Sequence, residues 1–219
     1  MRQQRPRGTT TRESVVSAAL DVVDRVGLDS LTIRAVASLV GAPPMSLYTH
    51  FANKEELLDL TYVELSRRLY PDSGLDTWQA ELLALATHVR ETLLAHPGWT
   101  PLLSRPTQPA KVPVRERLLK LMVEANMSSE AALRGLSGVL VTAIGLSLAE
   151  LTFREADGAS SFARRFERTR TWFESEPDAD TEPTSREAFT RMGTFEFEKS
   201  FQFSIQTLIE GLQLRLRSG

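Results

Sequence analysis

The sequence predicts an all-α fold, a three-helix N-terminal part followed by a larger helical body, and three observations carry that prediction. Apolar residues recur in steps of three and four, as in Val16, Ala19, Leu20 and Val23, and again in Trp78, Leu82, Leu85, Val89 and Leu93. Glycine and proline punctuate these runs at Gly27, Gly41, Pro43-Pro44, Pro71 and Pro97-Gly98. No stretch alternates apolar and polar residues as a half-buried strand would.

The elements follow in order. Thr11 N-caps a first helix that stops at Gly27, and a second runs from Leu31 or Thr32 to Val40, before Gly41. Ala42-Pro43-Pro44 is a turn, and the third helix is short, from about Pro44 to His50. Asn53 caps a fourth helix from Lys54 to about Leu69, ended by Pro71-Asp72-Ser73-Gly74. The linker over 71–76 is the expected domain boundary, separating residues 11–70 from 75–219. The body opens on the amphipathic helix from Trp78, broken at His96-Pro97-Gly98. A brief helical piece spans Trp99 to Leu103, and Arg105 to Pro109 is a loop. Pro113 to Ala125 reads as a helix with Leu118, Leu119, Met122 and Val123 inward. Ser128-Ser129-Glu130 opens a long one to about Glu155. That helix is apolar on nearly every face from Leu136 to Ala149, so it is expected to be buried all round, against its own domain and a second subunit. A membrane span is not expected, because the stretch is interrupted by Ser137, Thr142 and Ser147 and falls short of roughly 20 apolar residues. Residues 174–185 carry five acidic groups, two prolines and no large apolar residue, which predicts a flexible loop. A last helix begins near Phe195, with Phe201, Ile205, Leu208 and Leu212 on one face, widened by Phe197 and Phe203.

Composition narrows the chemistry. With no cysteine, thiolate metal sites, disulfides and cysteine nucleophiles are excluded, and three histidines (His50, His88, His96) make a histidine metal site unexpected. No cofactor or metal is expected. The P-loop, HExxH, nucleophile-elbow and Rossmann glycine patterns are all missing, so an enzyme is not expected. Residues 1–12 are polar, carry Arg2, Arg5, Arg7 and Arg12, and lead into no apolar stretch of signal-peptide type; the expected location is the cytoplasm. Residues 1–54 hold seven basic side chains against four acidic ones, in a chain of net charge −2. A basic head on an acidic body suits a protein that touches phosphates at one end.

The arrangement within that head is specific. Two short helices, Thr32 to Val40 and Pro44 to His50, are joined by a glycine-proline turn, and a capped helix with Lys54 in its first turn follows at once. This is the layout of a helix-turn-helix that places its second helix in a major groove of double-stranded DNA. Val36, Val40 and Leu47 fill the small core, Ala37 lets the helices cross closely, and Gly41 permits positive φ. The groove-facing candidates are Pro44, Met45, Ser46, Thr49 and His50, with Arg34 reaching from the second helix. Arg34 contacts either a guanine edge or a phosphate. Met45 offers apolar contact to a thymine methyl. His50 either touches a phosphate or caps its helix. Lys54 and the N–H groups beside it can bind phosphate. Residues 1–10 read as a flexible basic arm, with phosphate contact expected of Arg12.

The runs ESVVSAALDVVDRVG, LTIRAVASLVG and LYTHFANKEELL at this spacing resemble the tetracycline-repressor (TetR) family of bacterial regulators, most strongly over residues 11–60. The resemblance extends more weakly into the body over Trp78 to His96, Leu136 to Leu151 and Phe201 to Leu212. It implies that Tyr48, which spacing alone leaves as either core or surface, touches the DNA backbone, and that the body forms a homodimer through a four-helix bundle and encloses a small-molecule pocket. Candidates for that pocket are His88, Trp99, Leu102, Leu103, Met122, Thr142 and Phe153, each of which also suits ordinary core packing. Family members that take magnesium-chelated tetracycline place a histidine where this chain has Pro101, so a metal-free, largely apolar effector is expected. The implied function is a dimeric repressor released from its operator by that effector. The alternative keeps DNA binding under the control of a protein partner, or of none.

Overall fold

The computed structural model describes residues 10–104, 113–154, 161–175, 183–192 and 196–217. The helices are α1 (Arg12–Val26), α2 (Ile33–Val40), α3 (Pro44–Leu47), α4 (Lys54–Leu69), α5 (Trp78–Ala95), α6 (Pro113–Glu124), α7 (Ser129–Phe153), α8 (Ser161–Ser175), α9 (Pro183–Met192) and α10 (Phe197–Arg217). Short 3₁₀ turns occupy Leu28–Ser30 and Pro97–Ser104. Side chains set most starts. Thr11 accepts from the Ser14 N–H while Ser14 accepts from the Thr11 N–H, a reciprocal cap. Thr32, Asn53, Thr77 and Ser128 cap α2, α4, α5 and α7 in the same sense. Gly41 ends α2 in the left-handed region at φ 72°, the conformation that a residue with a Cβ resists.

Packing divides the chain after Leu121, within α6, and the two compact units are residues 1–121 and 122–219. The linker expected at 71–76 therefore lies inside the first unit. Two contacts show why. The Trp99 indole, 2% exposed, donates to the Leu20 carbonyl of α1 at 3.2 Å. Gly98 passes so close to α1 that a Cβ there would stand 2.5 Å from the Asp24 carbonyl oxygen. Around this joint the His96 ring stacks on Trp99 at 3.9 Å and its Nδ1 donates to Asp24 at 2.7 Å. The Arg68 guanidinium lies 5.6 Å from the Trp99 ring and also donates to Ser17 at 2.9 Å. The N-terminal helices thus rest on α4 and on the segment after α5 as one body.

A second fixed point in this unit is Glu81, fully buried on α5. Its carboxylate accepts from the Ser73 and Leu75 N–H groups, both at 2.8 Å, and from Arg117 of α6 at 3.0 Å. Arg117 also holds Asp72 at 2.6 Å and donates to the Leu75 carbonyl. Hydrogen bonding to Glu81, with Asp72 beside it, raises the Arg117 pKa above its ordinary value. The connection from α4 to α5 is therefore clamped by charge. The phenol of Tyr70 beside it is pushed up to about 12, chiefly by burial.

In the second unit α7 packs on α10. Ala132, Gly135, Leu136, Val139, Ala143, Ser147 and Glu150 form the buried face of α7, and Phe201, Ile205 and Ile209 that of α10. Burial all round is not what this chain by itself shows. Leu133 is 50% and Val141 69% exposed on the other side of α7. The length argument against a span is also corrected. α7 has 25 residues and is long and apolar enough to cross a membrane by length and composition. Its buried face nevertheless carries Ser147 and Glu150, the latter paired with Arg154 at 2.9 Å.

Some boundaries differ from the sequence reading. The third helix ends at Leu47, three residues early, and α10 begins at Phe197. The acidic stretch 174–185 is helical at both ends, where α8 closes and α9 opens, and 176–182 lie outside the described residues. So do Arg2, Arg5, Arg7 and the loop over 105–109. On α6, Leu118 and Met122 are buried as expected, whereas Val123 is 42% exposed.

Candidate nucleic-acid interface

A helix of four residues cannot hold itself together, so α3 depends on what it is anchored to. Leu47 is completely buried, Val36 and Ala37 of α2 are buried as expected, and Phe51 is 3% exposed. Every other residue from Pro43 to Thr49 is exposed, Met45 by 77% and Tyr48 by 44%. One inward leucine thus leaves Pro44, Met45, Ser46, Tyr48 and Thr49 outward on a fixed backbone. The tail of α3 tightens because the Ser46 hydroxyl donates to the Pro43 carbonyl at 2.7 Å and that of Thr49 to the Ser46 carbonyl at 2.8 Å. These bonds use the hydroxyl protons and leave the oxygens able to accept, for instance from an adenine or cytosine amino group. Tyr48 leans on Phe51, ring centroids 5.8 Å apart, which steadies an exposed phenol.

Arg34 is exposed on α2, and His50 is half-buried at the end of the turn, where its N–H bonds the Leu47 carbonyl at 2.9 Å. Lys54 is exposed in the first turn of α4. Arg12 belongs to the same neighbourhood, through a partner the sequence reading missed. Its guanidinium meets Glu56 at 3.4 Å, and Glu56 also accepts from the Ala52 N–H at 2.7 Å. Glu56 at the third helical position after Asn53 is the capping-box position, a signal that was available in the sequence. The surface can offer cations, hydroxyls, a phenol and one flexible apolar side chain to a ribbon of phosphates and base edges.

The pocket candidates are not gathered in one unit. His88, Trp99, Leu102 and Leu103 belong to the first, and Met122, Thr142 and Phe153 to the second. Trp99 and Leu102 are buried, and so is Met122. His88 donates through Nε2 to the Arg68 carbonyl at 2.8 Å, with the Thr92 hydroxyl 3.2 Å away, and so serves the same joint as Trp99. The Thr142 hydroxyl is turned back on the Gly138 carbonyl at 2.8 Å. One groove in the second unit, ≈ 510 Å³, lies along α7 and α10, lined by Gly135, Gly138, Val139, Leu208, Gly211 and Leu212 among others. Among the described residues there is no group of three histidine or acidic side chains that could hold a metal ion.

Comparison with known proteins matches the chain in two portions, divided earlier than its packing is. Residues 15–60 match the family model of bacterial regulatory proteins of the tetR family. Residues 70–216 match the tetracyclin repressor-like C-terminal domain. The chain is 29% identical over 211 residues to the class D tetracycline repressor protein of Escherichia coli, covering 94% of this chain and 90% of that protein. It is 30% identical over 164 residues to an HTH-type transcriptional regulator of Saccharopolyspora erythraea, 73% of this chain and 69% of the relative. Among solved structures, a variant of TetR from Acinetobacter baumannii AYE in complex with minocycline superposes with a TM-score of 0.61 at 25% identity, over 96% of both chains. With an exposed helix-turn-helix at one end and both portions of its length matched, the chain belongs to the tetR family of bacterial regulatory proteins and is a ligand-responsive transcriptional repressor.

Proposed function

We propose that two copies of this chain clasp one operator, each laying Pro44, Met45, Ser46, Tyr48, Thr49 and His50 along a major groove, with Arg34, Lys54 and Arg12 gripping beside it. Residues 11–70 are read as the DNA-binding head and 75–219 as the body. The observation that carries this is that the members of this set, apart from the half-buried His50, are all exposed around a single buried leucine. Arg34→Ala discriminates between two modes of contact. If Arg34 forks onto a guanine, binding weakens by about 1–3 kcal/mol and specificity relaxes at one base pair. If it holds a phosphate, all sequences weaken alike and the slope of log K against log salt drops by about one. Fluorescence anisotropy on the DNA upstream of the gene, at several salt concentrations, separates the two.

Pairing is proposed to use the open side of α7 and α10. Leu133, Val141, Phe203 and Leu214 are each at least half exposed there, more apolar side chain than a solvated helix pair normally carries. Around Gly138, Gly145 and Gly211 an added Cβ would meet nothing within 4 Å, so the surface is free to receive another helix. Two copies would bury like against like, and reading two half-sites requires two heads. Val141→Arg is expected to shift the protein to monomer in sedimentation velocity and to weaken operator binding with it.

The effector is proposed to be metal-free and largely apolar, acting in the cytoplasm. It would favour a separation of the two heads that no longer fits the half-sites. Release of preformed operator complex by such a compound, without added divalent metal, is the expected result. A requirement for magnesium would contradict it.

A further inference from the structure

The basic helix α8 holds a feature that neither DNA binding nor pairing uses. Its carboxylates are committed to one arginine, because Glu167 and Glu174 both pair with Arg170. Arg165 and Arg168, one turn apart, are exposed and have no carboxylate partner among the described residues. Thr169 and Trp172 continue the same face at positions i+4 and i+7 from Arg165, and these four side chains border an open, shallow depression of the surface. Trp172 is 46% exposed, whereas its neighbour Phe173 is buried and holds it at 5.0 Å between ring centroids. An exposed indole beside two guanidinium groups that have no carboxylate partner among the described residues offers a stacking face and two hydrogen-bonding forks to something flat and negative. Guanidinium forks match a carboxylate in two parallel hydrogen bonds, and an indole face stacks on a ring.

We propose that the Arg165, Arg168, Thr169 and Trp172 face of α8 is a binding site for a planar aromatic carboxylate, separate from operator recognition. The arginines take the carboxylate, the threonine oxygen a ring substituent, and the indole the ring. Nuclear magnetic resonance of the full-length protein tests it with benzoate as the probe. The chain has three tryptophans, and Trp78 and Trp99 are buried in the first unit, so their indole N–H signals serve as controls that the probe acts on α8 and not on that unit. Trp172→Phe assigns the third signal. Benzoate is expected to move the Trp172 signal saturably and leave the other two in place, while neutral benzamide moves none. The double variant Arg165→Ser, Arg168→Ser is expected to weaken the response at least about tenfold, as loss of charged hydrogen bonds does. Should that variant also disturb the Trp78 and Trp99 signals, Arg168→Gln alone gives the same comparison. A static Trp172 signal, equal movement by benzamide, or unchanged affinity in the arginine variants overturns the proposal. An equal response to inorganic phosphate overturns the aromatic assignment.

Discussion

Leu47→Ala is expected to remove operator binding while leaving the helical content of the protein nearly intact. Leu47 is the only residue of α3 that points fully inward, and α3 has no length with which to stabilise itself. Large-to-small changes at such sites cost about 2–5 kcal/mol. That cost falls on the α2–α3 turn, which is held by few other side chains. Operator affinity is expected to fall by roughly thirtyfold or more, the equivalent of at least about 2 kcal/mol of lost order in the head. Met45→Ala provides the contrast. Met45 is 77% exposed, so its removal is expected to change stability by no more than about 0.5 kcal/mol and to affect only the DNA it meets. Far-ultraviolet circular dichroism and anisotropy on the two variants separate a disordered head from a lost contact.

Glu81→Ala is expected to be strongly destabilising although it lies outside the head. The substitution deprives the Ser73 and Leu75 N–H groups and Arg117 of their common acceptor. Breaking a fully buried ion pair costs about 3–5 kcal/mol. Ser73 and Leu75 are exposed and can turn to water, so the expected cost is about 2–3 kcal/mol, and Tm falls by roughly 5–10 °C. Glu81→Gln keeps an accepting oxygen and loses the charge, and is expected to lie between the wild type and Glu81→Ala in a thermal melt. Because the carboxylate ties the α4–α5 connection to α6, the alanine variant is also expected to loosen the registration of the head. In hydrogen exchange, residues 70–77 should lose protection before α1 does.

What could be read from the sequence depended on how local the cause was. The caps at Thr11 and Asn53 were legible because each acts within three residues of itself. The outward set around Leu47, apart from Tyr48, was legible because a turn-bounded short helix has only one inward position. The end of α3 was not, since Ser46 and Thr49 bond backward to carbonyls and draw the tail into tight turns before His50. Glu81 gave no signal because it adjoins the apolar stripe of α5 and its partners stand 6, 8 and 36 residues away. α8 and α9 are hard to read because their arginines and glutamates hide a sparse apolar spacing, Phe166 to Phe173. The half exposure of α7 has another origin. An apolar surface tells how much must be covered, and not whether the cover lies in the same chain.

The central claim is that two heads, each built on a buried Leu47, read one duplex together. Hydroxyl-radical footprinting on the DNA upstream of the gene tests it most directly. The expected result is two protected half-sites whose centres lie about one helical turn, or a whole number of turns, apart, with both lost together in Leu47→Ala. A single protected patch, or no protection of any duplex at low salt, would contradict it.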